Sequence, residues 1–339
     1  MTATMHRQWQ VAGRPAGRPL LDDDFQLAQV EVAPPAVGEV LVRTAYLGFD
    51  PAQKSWMENA ASYMNPVEIG GVMPGSGAGV VVESKHPDFE PGDAVFGHLG
   101  WQELATVPGR LLYKAPPGVP LDAVLSVLGG TGRTAYLALM KVGKPVAGDT
   151  LLISGAAGAT GSLVGQIGKI AGCRVIGIAG GPEKCAWLTG ELGFDAAIDY
   201  KNEKVRTRLR ELAPAGVDIF FDNIGGEILN DALARLAPRA RVVICGGISR
   251  YNFDPRSQEM PPGPRNYFNV VFTGATIQGF LMPEYERDYP EADTRLAAWV
   301  RDGRIKPRAD VLDGFENAPA ALMRLFEGRN VGKQLVKVF

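Results

Sequence analysis

Cysteine and histidine are both scarce. In 339 residues there are three cysteines, Cys173, Cys185 and Cys245, and three histidines, His6, His86 and His98. The cysteines are far apart and odd in number, which fits a reduced protein with neither a disulfide framework nor a Cys-based metal site. Charge of one sign is lacking too: the formal net charge is −2, with no broad basic face, which argues against nucleic acid as the main partner. No apolar run is read as approaching the roughly 18–20 residues that span a bilayer, so no membrane partner is expected. Met1 to Gln10 carries His6 and Arg7 with no apolar stretch behind them, so no secretory signal is read there and a cytoplasmic location is expected.

Glycine, by contrast, is abundant. The 42 glycines imply many tight turns and close backbone approaches. Hydrophobic content of 46% allows ample core, and the length favours two domains. Up to about residue 120 the chain reads as β-rich, with short strand-like runs such as Val40–Ala45 and Gly79–Glu83 separated by turn signals. From Leu121 apolar strands alternate with helices: Leu151–Ser154 then Leu163–Ala171, Arg174–Ala179 then Glu183–Leu192. Ala196–Asp199 precedes a helix over Asn202–Leu212, Val217–Asp222 precedes one over Glu227–Leu236, and Arg241–Cys245 follows. Continuous apolar strands each followed by a helix indicate a doubly wound parallel sheet of Rossmann type, an α/β fold. After Ala275–Phe280, helices are read over Glu291–Asp302 and Ala318–Glu327, and the last strand, Gln334–Phe339, most simply returns to the N-terminal β-domain. The expected division is 1–122 with 303–339, and 123–302.

Leu151-Leu152-Ile153-Ser154 leads into Gly155-Ala156-Ala157-Gly158-Ala159-Thr160-Gly161 and a helix. Gly158 would let the backbone approach a pyrophosphate, Gly161 would allow close helix–strand packing, and the helix start offers amide donors to phosphate. Ala156 stands where the usual pattern has its first glycine. At the end of the second strand, where NAD-binding chains place Asp or Glu, stand Gly180-Gly181-Pro182-Glu183-Lys184. Loss of the carboxylate and the charge of Lys184 favour NADP(H); the bland alternative is that Lys184 is a solvated helix residue.

The sequence is similar to the zinc-independent medium-chain dehydrogenase/reductases, above all the prostaglandin reductase, leukotriene B4 dehydrogenase and plant double-bond reductase group. The marks are Gly48-Phe49-Asp50-Pro51, Gly132-Arg133-Thr134-Ala135-Tyr136, Gly158–Gly161, Leu192–Asp195 through Asp199-Tyr200, Phe221–Gly226, Cys245–Asn252 and Asn330-Val331-Gly332-Lys333. The resemblance implies a GroES-like β-rich substrate domain beside the Rossmann domain, a homodimer, and NADP(H) as cofactor. It implies that Gly158, Ala159, Thr160 and Gly161 hold the pyrophosphate, and that Lys184 and Tyr200 surround the 2′-phosphate. Asn223 and the stretch Cys245, Gly246, Gly247, Ile248, Ser249 and Tyr251 would line the cofactor's path. Phe280, Leu281, Met282 and Asn330 would lie near the nicotinamide. The chain departs from many relatives at Ala52, where they carry Tyr, and in the loop Gly97–Gln102.

Zinc alcohol dehydrogenases of the superfamily use a Gly-His-Glu ligand loop; here Met73–Gly79 takes its place without His or Glu, and the four-cysteine lobe is missing. No catalytic metal is therefore expected. Without a Lewis acid a C=C bond conjugated to a carbonyl is the accessible hydride acceptor: the enolate that forms needs only a hydrogen-bond donor, and the α-carbon a proton. The implied activity is NADPH-dependent reduction of enones or enals, with quinone reduction, or a non-catalytic cofactor-binding role, as alternatives. Tyr251 is the candidate enolate donor, against the alternative of an aromatic packed at a loop base; Tyr63 is a second candidate, and water could also deliver the proton. His98 is either a donor or a wall residue, and Trp56 and Trp101 are either pocket walls or core. Asp50 is read as structural, capping or fixing the turn before Pro51, rather than as catalytic.

Overall fold

The computed structural model describes residues 4–58, 64–254 and 263–339. In chain order its strands are β1 (Met5–Val11), β2 (Phe25–Glu31), β3 (Glu39–Gly48), β4 (Ser76–Ser84), β5 (Ala94–His98), β6 (Leu104–Pro108), β7 (Leu112–Lys114), β8 (Thr150–Ile153) and β9 (Arg174–Ala179). These are followed by β10 (Ala196–Asp199), β11 (Val217–Asp222), β12 (Leu236–Ile244), β13 (Thr276–Gly279), β14 (Ala309–Asp313) and β15 (Lys333–Lys337).

The chain divides into two units. The first comprises Met1–Gly129, Tyr251–Gln258 and Ala309–Phe339, and the second Gly130–Arg250 and Glu259–Arg308. The first division falls past residue 122 because Leu121–Leu128 packs on β3 and β4. In the first unit a seven-stranded sheet runs β14-β15-β3-β4-β5-β7, with β6 also paired to β3, and β1 pairs with β2 separately. The tail strand β15 lies antiparallel to β3, with Leu335 opposite Gly48, so the C-terminus completes the N-terminal sheet. Phe49, Trp101, Phe315, Leu322 and Val336 form part of one fully buried cluster, and Val40, Val81 and Val95 part of another.

The second unit holds a six-stranded parallel sheet in the order β10-β9-β8-β11-β12-β13. Leu151, Leu152 and Ile153 of β8 and Ile219, Phe220 and Phe221 of β11 are fully buried, as central strands covered on both faces must be. The chain enters at β8, runs outward through β9 and β10, then returns to β11 on the other side. The carboxyl ends of β8 and β11 therefore form the topological switch point, where open α/β sheets bind ligands. In the Gly132–Tyr136 motif, Arg133 makes a bidentate bond to Asp293 at 2.8 and 2.6 Å, and the Tyr136 hydroxyl donates to Glu291 at 2.8 Å. That motif anchors the helix Tyr289–Arg301.

Several expectations need correction. The helix expected from Asn202 starts at Val205, because the Asn202 amide is taken by Asp199 Oδ2 at 2.7 Å. The helix expected to Leu236 ends at Leu233, and Leu236 already opens β12; Arg239, at φ +61°, lies within that strand where its pairing to β11 shifts register. One helical run, Leu121–Gly143, is long and apolar enough to cross a membrane, with a mean hydropathy of 1.2 over its best window, contrary to the reading that no such run exists. That window is 72% buried inside the protein, which is the behaviour of a core helix.

Candidate active site

The glycine loop leaves β8 at Gly155, which takes φ +60°, beneath Ile224. Gly158 is the N-cap of the helix Ala159–Ile170, at φ −80° and ψ 176°, and no side chain caps that end. The amides of Ala159, Thr160 and Gly161 thus open the helix as donors without an intrahelical acceptor. A Cβ on Gly161 would lie 2.4 Å from Gly155 O and 2.8 Å from Ala156 Cα, so that glycine is required for loop-to-helix contact. A Cβ on Gly158 would meet only Gly155 O, at 3.2 Å. Ala156 departs from the usual pattern without strain: its methyl points into the core toward Gly177, where an added Cβ would come within 2.9 Å.

Next to the loop, at the end of β11, Asp222 accepts from Ser154 Oγ at 2.7 Å and from the amides of Ile224 and Gly225, both at 3.0 Å. Burial raises the pKa of this carboxyl above the ordinary range, and those donors oppose the shift. Asn223 donates its side-chain amide to Ser154 O at 2.8 Å, which pins it across the switch point. Gly246 packs on Asn223, and Ser249 Oγ donates to Ile224 O at 2.6 Å, so Cys245–Ser249 closes over the same strand end. Burial, with the Asp222 charge, pushes the Cys245 thiol up to about 12, which leaves it a neutral wall group.

At the end of β9, a Cβ on Gly180 would lie 3.0 Å from both the Tyr200 hydroxyl and Lys201 Cε. Lys184 stands in the first turn of the helix Pro182–Gly190. Gly180, Tyr200 and Lys201 are thus neighbours, with Lys184 four residues beyond Gly180. Lys201 went unread in the sequence, where the resemblance pointed only to its neighbour Tyr200. The Asp199 carboxylate is committed to the Gly181 and Lys201 amides at 2.8 and 3.1 Å and to Asn202.

Phe280 stacks on Tyr285 at 4.9 Å, Leu281 is the N-cap of the turn that Met282 begins, and Met282 O accepts from the Tyr289 hydroxyl at 3.1 Å. In the first unit Asn330 donates to Gly332 O at 2.9 Å. His98 keeps exposed surface, yet crowding by protein lowers its pKa against the pull of Asp50. Asp50 does not cap the helix Ala52–Met57; it pairs with the buried Lys333 ammonium at 2.6 Å. Trp101 is fully buried, stacked on Phe25 at 5.4 Å and tilted on Phe49 at 5.0 Å, so it is core and no pocket wall. Trp56 is 8% exposed in the helix Ala52–Met57. Tyr251 lies in the segment that joins the first unit, its carbonyl bonded to Lys54, and Tyr63 lies outside the described residues. Among the described residues no three His, Cys, Asp or Glu side chains are grouped to hold a metal ion.

Two family profiles match: residues 7–115 match the N-terminal domain of oxidoreductase, and 159–298 match zinc-binding dehydrogenase. The chain is 40% identical over 340 residues to the NADPH-dependent curcumin reductase of Escherichia coli (strain K12), covering 98% of this chain and 97% of that one. It is 38% identical to prostaglandin reductase 1 of Oryctolagus cuniculus, covering 96% and 92%. Among solved structures, CurA from Vibrio vulnificus in complex with NADPH superposes with a TM-score of 0.90 at 38% identity, over 98% of this chain and 99% of that one. The chain belongs to the zinc-independent medium-chain dehydrogenase/reductases, an oxidoreductase family.

Proposed function

We propose that the chain is an NADPH-dependent reductase of C=C bonds conjugated to a ketone or aldehyde. The observation that carries the cofactor half of this reading is a glycine loop at the switch point whose neighbouring strand end offers Lys184, Lys201 and Tyr200; the substrate half is supported by similarity to reductases such as the 2-alkenal reductase of Nicotiana tabacum. Lys184, Lys201 and Tyr200 fit a dinucleotide with a 2′-phosphate. The uncapped helix start and the amides of Ala159, Thr160 and Gly161 suit the pyrophosphate, and the cations suit the third phosphate. Asn223 and Cys245–Ser249 are assigned to the path of the cofactor, and Phe280–Met282 and Asn330 to its nicotinamide end. The NADPH-dependent relatives support the same cofactor.

When bound, NADPH supplies the hydride, which the substrate's β-carbon accepts. The π electrons of the C=C bond move toward the carbonyl, whose oxygen takes up the charge as an enolate. Tyr251 is assigned as the hydrogen-bond donor to that oxygen. A proton then reaches the α-carbon and the saturated product leaves. His98, held neutral, and Trp56 are assigned to the substrate side. Tyr251→Phe removes one donor and should lower kcat for an enone by about 10²–10³-fold while leaving NADPH affinity within a factor of two. Unchanged turnover would remove Tyr251 from the mechanism.

We also infer a cytoplasmic homodimer joined through β13. That edge strand is exposed along its length, Ile277 included, and Tyr267, Phe268, Val271 and Phe272 just before it in the chain are exposed apolar groups. A second copy of β13 would supply the missing ladder partner and cover this patch.

A further inference from the structure

We infer that Lys54 is a positioning residue that clips the Tyr251 segment to the N-terminal loop; the consequence for turnover rests on the reading of Tyr251 given above. The Lys54 side chain is fully buried, an unusual place for a lysine. Its ammonium donates to Glu58 Oε1 at 2.7 Å, to Pro15 O at 3.3 Å, and to Tyr251 O. An ammonium has three N–H donors, and each has an acceptor here. Glu58 is itself nearly buried and balances the charge.

A buried ion pair of this kind adds little net stability, because both ions lose their hydration. What it does provide is direction. The carbonyl that Lys54 holds belongs to Tyr251 itself, so the bond fixes the backbone from which the phenol projects. Asp254 Cβ lies 3.5 Å from the point where a Cβ on Gly17 would stand, so the loop that supplies Pro15 meets this segment a second time. Lys54, Glu58, Pro15 and Gly17 form a seat for residues 251–254.

The test uses the full chain. Lys54→Met combined with Glu58→Leu removes both charges together and strands neither. Hydrogen–deuterium exchange of the peptide covering 251–254 should speed up at least about tenfold, with other peptides and NADPH affinity unchanged. The kcat for an enone should fall by about tenfold or more, as expected when a donor is displaced by about an ångström. Introduced into Tyr251→Phe, the same pair should cost no further turnover, since the group it positions is gone. Lys54→Arg, which keeps a cation and donors, should retain slow exchange at 251–254. Unchanged exchange in the double variant, or an equal fall of kcat in the Tyr251→Phe background, would overturn the inference. If Tyr251→Phe alone leaves turnover intact, the donor assignment fails, and the exchange comparison still decides the role of Lys54.

Discussion

Two glycines three residues apart should respond differently to one added methyl group. In Gly161→Ala the new Cβ would lie 2.4 Å from Gly155 O and 2.8 Å from Ala156 Cα. Both are backbone atoms and cannot rotate away. Alanine favours the helix over glycine by about 1 kcal/mol, but overpacking of this kind costs about 1–3 kcal/mol. The balance is a loss of up to about 2 kcal/mol, and a domain of this size loses roughly 2–4 °C of Tm per kcal/mol. In Gly158→Ala the methyl would meet only Gly155 O, at 3.2 Å, on backbone that any residue adopts. The cost there is below about 1 kcal/mol, that of a poorer N-cap. Yet Gly158 is where a pyrophosphate would come closest to the chain. Gly158→Ala should therefore lose no more than about 4 °C of Tm while the Kd for NADPH, followed by nucleotide fluorescence, rises at least about tenfold. A tenfold weaker Kd also removes about 1.4 kcal/mol of the stabilisation that saturating NADPH confers, so the ligand-induced rise in Tm should shrink. Gly161→Ala should lose both Tm and binding. Wild-type NADPH affinity in Gly158→Ala would show that the loop is not where the phosphates dock.

Lys184→Ala should raise KM for NADPH by about tenfold and leave that for NADH nearly unchanged, and adding Lys201→Ala should widen the gap; equal effects on both cofactors would refute the phosphate role. Burial holds the pKa of His6 and of His98 below the ordinary 6.5. The unfolded chain therefore takes up these protons first as pH falls, so Tm should decline from pH 7 toward 5, before carboxylates such as Asp24 and Asp195, held low by Arg18 and Lys169 against the opposing effect of burial, begin to titrate. His6→Gln with His98→Gln should flatten that decline, and an identical slope in the variant would exclude the histidines as its source. Phe272→Glu with Ile277→Lys should shift the sedimentation of the protein from dimer to monomer; a wild-type chain that sediments as a monomer would dismiss the β13 interface.

The doubly wound sheet was legible because its central strands, such as Leu151–Ile153 and Ile219–Phe221, are continuous apolar runs. The glycine loop was legible because its spacing follows a strand and opens a helix. What stayed hidden depended on particular side-chain contacts, one of them local and the others distant in sequence. Asn202 looked like helix until Asp199 took its amide. Trp101 carried no mark that separates core from wall; only its stacking on Phe25 and Phe49 does. Lysines are mostly exposed, so nothing marked Lys54 as buried beside Tyr251 or Lys201 as a neighbour of Gly180. The core helix from Leu121 passed unnoticed as an apolar run because Gly129–Gly132 interrupts it.

The most direct test of the central claim is cofactor oxidation, with NADPH and NADH in turn, against enones, enals, quinones and saturated ketones in the presence of a metal chelator. The account predicts turnover of enones and enals with NADPH in strong preference to NADH, unaffected by the chelator. Turnover of saturated ketones alone, or activity that the chelator abolishes, would contradict it.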